Sequence, residues 1–179
     1  MASDLELLNH SERRVRLEAL ARLAARPGRP VIRSDVNNHI HTFYSFSPYS
    51  PAKAAWMSAM SGLLTAGIMD HDSISGAEEF IAAGRMLSLA TTIGVECRSD
   101  FSATPLRGRR LNSPDQLSLA YIALHGIPHT QISAVTEYFR PYLAERNRRN
   151  RRMVERLNTA LAWPELELDF ERDVVPLSK

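Results

Sequence analysis

Three short clusters of imidazoles and carboxylates lie between Val36 and Glu96: Val36-Asn37-Asn38-His39-Ile40-His41-Thr42, Ile68-Met69-Asp70-His71-Asp72 and Ile93-Gly94-Val95-Glu96. Imidazole nitrogens and carboxylate oxygens hold borderline and hard divalent cations, so the chemistry these residues point to is metal binding. His39 and His41 alternate with Ile40, and on a strand both imidazoles would face one side while Ile40 turns away. A core strand has little use for two histidines on one face. Asp70-His71-Asp72 follows the short apolar run Ala66-Gly67-Ile68-Met69, and three ionisable residues at the exit of a buried strand rarely serve packing.

The elements that must position these clusters are legible around them. Val31-Ile32-Arg33 opens an extended stretch that reaches the first cluster. Ser50-Pro51 reads as an N-cap followed by proline at the first helical position, and Trp56, Met60, Leu63 and Leu64 give the apolar stripe of a helix over about 51 to 66. Ser75-Gly76-Ala77-Glu78 fits a capping box opening a second helix that carries Phe80, Ile81 and Leu87. Thr91-Thr92-Ile93-Gly94-Val95 is β-branched and reads as a strand with Glu96 at its exit. The order strand, helix, strand, helix, strand implies an α/β fold with parallel neighbours and right-handed crossovers. The three strand exits then lie at one edge, where parallel α/β proteins place ligand sites.

The flanks are plainer. Leu5, Leu8, Val15, Leu17, Leu20 and Leu23 recur at helical spacing until Pro27-Gly28-Arg29-Pro30, and the basic residues Arg13, Arg14 and Arg16 read as a solvated face. The polar segment 101–114 reads as a loop whose Arg107, Arg109 and Arg110 could grip phosphate. After a further apolar run over 117–124, His125 or His129 could complete a metal shell. A helix is predicted over 131–139, restarting at Pro141, with Leu143, Val154, Leu157 and Leu161 on one apolar face. Arg146-Asn147-Arg148-Arg149-Asn150-Arg151-Arg152 lacks interleaved aromatics and reads as solvated, with nucleic acid kept open as a partner. Leu166, Leu168 and Phe170 alternate with acids as a final strand, making about five strands in all.

The 179 residues, 44% hydrophobic and 23% charged, are enough for one globular core. Cys97 is the single cysteine, which excludes an internal disulfide framework. No apolar run of about 18 residues appears and the first residues lack a signal-peptide pattern, so no membrane association and a cytoplasmic location are expected.

Taken together, His39-Ile40-His41-Thr42, Asp70-His71-Asp72 and Gly94-Val95-Glu96 resemble the PHP family, the polymerase and histidinol phosphatase domain. Ser50-Pro51 after the first motif and Gly76-Ala77-Glu78 after the second extend the likeness over about residues 30 to 100. The resemblance implies a distorted, TIM-like βα barrel with a cluster of divalent ions, zinc, manganese or iron, that cleaves a phosphoester with a metal-activated water. It implies His39, His41, His71 and Glu96 as metal ligands, with Glu96 bridging two ions and Asp70 orienting an imidazole. Glu96 and Asp70 are thereby the residues expected to matter for catalysis, and His125 is a further candidate ligand. The expected substrate is a phosphorylated small molecule or a nucleotide.

The chain departs from that pattern in several places. Ser45-Phe46-Ser47 offers no ligand after the first motif, Asn37 stands where aspartate is usual, and no histidine follows His129, so the family's last aspartate and histidine pair is missing. A complete barrel needs roughly 200 residues or more. The expectation is therefore an N-terminal helix over 1–29 and, over 30–179, the first portion of such a domain, an incomplete barrel. The competing readings are a nucleic-acid-processing or nucleic-acid-binding module and a catalytically degenerate regulatory domain.

Overall fold

The computed structural model describes residues 2–28 and 30–177. The chain divides into two compact units, Met1–Ser133 and Ala134–Lys179.

In the first unit, strands β1 (Val36–Ile40), β2 (Thr65–His71), β3 (Ala90–Asp100) and β4 (Leu119–His125) form one sheet in the order β1-β2-β3-β4. The first three are parallel, as short crossovers through helices α3 (Pro51–Met60) and α4 (Ala77–Leu87) require. β4 runs antiparallel to β3. Its connection, residues 101–118, is a series of tight turns rather than a helix, so the chain folds back instead of crossing over. The result is a mixed α/β half-barrel, the α/β class and incomplete barrel that the sequence implies. Side-chain alternation gives the sheet two faces. Ala66, Ile68, Ile93 and Val95 are buried on one, within a core that includes Ala52 and Ala55 of α3, Phe80 and Ile81 of α4, and Leu20 and Leu23 of α2 (Arg13–Ala24). No helix among the described residues is long and apolar enough to cross a membrane.

The N-terminal helix is two helices, α1 (Asp4–Leu7) and α2. Asn9 separates them because its side chain serves distant backbone: Nδ2 donates to the Pro48 carbonyl at 3.2 Å and Oδ1 accepts the Ser50 N–H at 2.9 Å. Ser50 caps α3 as the sequence implies, accepting the Lys53 N–H at 3.0 Å. The capping box at Ser75 is not formed; Gly76 is the N-cap of α4 and makes no side-chain bond.

Arg16 is not part of a solvated face. It is 3% exposed and pairs bidentately with buried Glu79, Nε to Oε1 at 2.8 Å and Nη2 to Oε2 at 2.5 Å, while Nη1 donates to the carbonyls of His10 and Ser11. Glu79 Oε1 also accepts the Ala52 N–H at 3.1 Å, so one ion pair ties α2, α4 and the first turn of α3. Arg13 and Arg14 do stay at the surface, paired with Glu78 and Glu18.

The second unit consists largely of helix α5 (Ile132–Leu161), which begins just before the unit boundary and runs unbroken through Pro141. Proline there costs about 3 kcal/mol, a penalty that thirty residues rich in Ala, Arg, Glu and Leu can absorb. The arginine stripe is laced to acids: Arg140 to Glu137, Arg148 and Arg152 to Glu145, and Arg151 to Glu171. The expected final strand is absent. Asn158 takes both the Leu168 N–H and its carbonyl, at 3.0 and 2.7 Å, and Asp169 accepts the Arg172 N–H at 2.7 Å, so local side-chain bonds wind this segment into a π turn, Phe170–Val174.

Removing one partner of a buried ion pair strands the other's charge, so Arg16→Met is expected to lower the unfolding free energy by about 3–5 kcal/mol. Urea unfolding measures this, and the double variant Arg16→Met, Glu79→Leu should recover most of the loss.

Candidate metal centre

The candidate ligands come from three neighbouring strands: His39 in β1 and His41 just after it, His71 at the end of β2, and Glu96 within β3, which runs on to Asp100 rather than ending there. The parallel register pairs Asn37 with Ala66 and Ile40 with Ile68, so two residues of β1, Asn38 and His39, oppose Gly67 alone. This bulge re-aims His39. A Cβ on Gly67 would fall 2.8 Å from Asn38 Cα and 2.4 Å from Thr92 Oγ1, so the bulged strand approaches this closely only because the residue is glycine. His71 ends β2 and is the register partner of Glu96 on β3.

Glu96 is where they meet. Its Oε2 lies 3.0 Å from His39 Nε2, 3.5 Å from His71 Nε2 and 3.8 Å from His41 Nε2. One ligand atom each of His39, His41 and Glu96 lies within 4.8 Å of the other two. The rings of His41 and His71 stack, with centroids 5.0 Å apart and 15° between planes, and His39 meets His41 edge-on at 5.0 Å. His71 lies outside that mutually close group although its Nε2 is 3.5 Å from Glu96, and His125, at the end of β4, sits further out, its ring 6.5 Å from that of His39. His129 is exposed in the short turn His129–Gln131.

Asp70 is 1% exposed and is not among the converging donors. Its Oδ1 accepts the Thr42 N–H at 2.7 Å and the Ser45 hydroxyl at 2.5 Å, and its Oδ2 accepts the Thr42 hydroxyl at 2.6 Å. Ser45 Oγ is also 3.2 Å from His41 Nδ1. Since the hydroxyl has one proton and gives it to Asp70, His41 Nδ1–H donates to Ser45 and the lone pair is left on Nε2, facing Glu96. Burial, and then the neighbouring imidazoles His71 and His39, push the His41 pKa below the ordinary histidine value, which favours this neutral form.

The donor set fits a divalent cation. One carboxylate oxygen has two lone pairs, too few to accept from three imidazoles, and an Nε2 lone pair facing a carboxylate oxygen is repulsive unless a cation lies between them. Tetrahedral ligands about 2.0–2.2 Å from an ion stand about 3.3 Å apart, close to the spacings around Glu96. Ser45 and Thr42, which position the donors, escape sequence reading because neither is a metal ligand. Phe46 and Tyr121 flank His71 with ring centroids at 4.8 and 6.1 Å, and no motif marks them. Arg110 donates to the Pro114 carbonyl at 2.6 Å within its own loop.

No family model and no curated protein matches the chain. A crystal structure of a protein from Bifidobacterium adolescentis, named as a candidate metal-dependent phosphoesterase, is similar over 85% of this chain, with 21% sequence identity and a TM-score of 0.52. The likeness is one of fold. The chain spans 45% of the length of that protein.

Replacing Asp70 strands the Thr42 N–H and two hydroxyls, so Asp70→Ala is expected to cost about 3 kcal/mol and Ser45→Ala about 1 kcal/mol. Urea unfolding ranks the two; an Asp70→Ala chain as stable as the original would show that the bracket holds nothing.

Proposed function

We propose that this chain carries the ligand cluster of a metal-dependent phosphoesterase of PHP type. The observation that carries the reading is the approach of three imidazole nitrogens to one oxygen of Glu96, within 3.0–3.8 Å. His39, His41, His71 and Glu96 would hold a divalent ion such as zinc, manganese or iron, with His125 near enough to join a wider set. The Bifidobacterium protein of similar fold supports the reading through its name. So does the resemblance of the three motifs to the PHP family.

When bound, such an ion supplies an acidified water and neutralises phosphoryl oxygens. The protein's own side chains prepare the place for it. The His41 tautomer is fixed through Ser45 by Asp70, which keeps its Nε2 open as a donor. Phe46 and Tyr121 stand beside His71, edge-on to its ring. The substrate would be a phosphorylated small molecule or a nucleotide. The Arg151 and Arg152 stripe, already engaged by Glu171 and Glu145, gives no comparable support to a nucleic-acid-binding reading.

The test is metal content after exhaustive dialysis, by elemental analysis. The chain should retain zinc or manganese, and the His39→Ala, His41→Ala double variant should lose it; equal content in both would defeat the assignment. Where turnover of a phosphomonoester such as p-nitrophenyl phosphate is measurable, Glu96→Ala should abolish it, since that substitution removes the one carboxylate on which the donors converge.

A further inference from the structure

The face of the sheet that carries Glu96 also carries a guanidinium, that of Arg98. Alternation along β3 sets Gly94, Glu96, Arg98 and Asp100 on one face, and the antiparallel register places Tyr121 of β4 directly opposite Arg98. The Arg98 guanidinium carbon lies 6.0 Å from the centroid of the Tyr121 ring, and that ring lies 6.1 Å from the ring of His71. One aromatic side chain thus adjoins both the cluster and the guanidinium.

Tyr121 is held as a platform. Asn112 clamps its backbone, Nδ2 donating to the Tyr121 carbonyl and Oδ1 accepting the Tyr121 N–H, both at 2.8 Å. This covers the outer edge of β4 with a side-chain amide where another strand would otherwise bond. Arg98 itself is exposed and has no carboxylate partner among the described residues. The acid on its own strand face, Asp100, is turned to the Ser102 N–H at 2.7 Å. Arg13, Arg14, Arg16, Arg22 and Arg26 of the same unit each meet a carboxylate, and what sets Arg98 apart from exposed arginines such as Arg107 and Arg109 is the aromatic ring beside it.

A planar guanidinium seated on an aromatic ring, two residues along the strand from Glu96 and without an acid to neutralise it, is built to receive an oxyanion in the plane of its N–H groups. We infer that Arg98, supported by Tyr121, binds a phosphate oxygen of the substrate beside the His39, His41, His71 and Glu96 cluster, acting as a positioning and specificity-determining residue. The substrate is the one proposed above, but anion binding by Arg98 requires no metal, so the two readings separate in experiment.

The probe is inorganic phosphate, titrated calorimetrically into the full chain, once after EDTA treatment and once after loading with zinc. Arg98→Gln should weaken phosphate binding about tenfold or more in both states, and Arg98→Lys should restore part of it as a point charge without the planar fork. Tyr121→Leu should weaken binding by about threefold by freeing the guanidinium. Because Arg98 is exposed, circular dichroism should find all variants folded. Phosphate affinity of Arg98→Gln within about twofold of the original, or no phosphate binding by the original chain, overturns the inference. Arg98-dependent phosphate binding in a chain that retains no metal would keep this inference and remove the phosphoesterase reading; retained metal with phosphate binding indifferent to Arg98 would do the reverse.

Discussion

The cluster depends on a carboxylate that is not part of it. Asp70 sits on the buried face of β2, and its two oxygens receive three donors from the loop that follows β1. Without that bracket the loop carrying His41 would have no fixed relation to the strand that ends in His71. Burying a carboxylate is costly unless it is fully hydrogen-bonded, and here it is: the backbone N–H of Thr42 and the hydroxyls of Thr42 and Ser45 replace its water. The same bonds settle which nitrogen of His41 carries a proton. One buried group therefore fixes both the position and the tautomer of a candidate ligand that it does not touch.

The helical side is organised in the same way, by one ionised pair over a longer span. Arg16 and Glu79, 63 residues apart in sequence, join α2 to α4, and Glu79 reaches on to the first turn of α3. α3 and α4 are the crossovers that make β1, β2 and β3 parallel. Parallel strands end on the same side, and that is what brings the first histidine pair, His71 and Glu96 within a few ångströms. A charge pair remote from the candidate cluster thus helps hold the crossovers that align the strands carrying it.

How much of this could be read beforehand follows from the range of each interaction. The three polar clusters were legible because strand and helix periods are local, and their convergence followed from topology alone. Ser50 as a cap was legible for the same reason. Arg16 was not: it shares a helix with Arg13 and Arg14, and nothing nearby reveals that its partner lies at Glu79. The alternation of Leu166, Leu168 and Phe170 suggested a strand, but Asn158 satisfies the backbone of Leu168 from the preceding helix, and Asp169 caps the turn that follows. The apolar run over 117–124 carried no sign of direction; β4 runs antiparallel because its connection is one of turns, whose hydrogen bonds no apolar period records. Arg98 and Tyr121 belong together only through register, which became visible once the sheet was known.

The bulge in β1 shows why residue type and spacing were still insufficient for the site itself. A regular strand would carry His39 and His41 on one face at a fixed separation, and both would follow the register of β2. The extra residue opposite Gly67 breaks that register, so His39 is displaced while Ile40 regains its pairing with Ile68 and keeps its place beside the core face. Glycine at position 67 is what permits it, since any Cβ would collide with Asn38 and Thr92. Asn37 then bonds the His39 N–H at 3.0 Å, supplying locally what the ladder gives up. The His39 imidazole reaches 3.0 Å from Glu96 because the sheet is irregular at that one point, and the irregularity is encoded by a glycine on the neighbouring strand rather than by anything in the histidine motif.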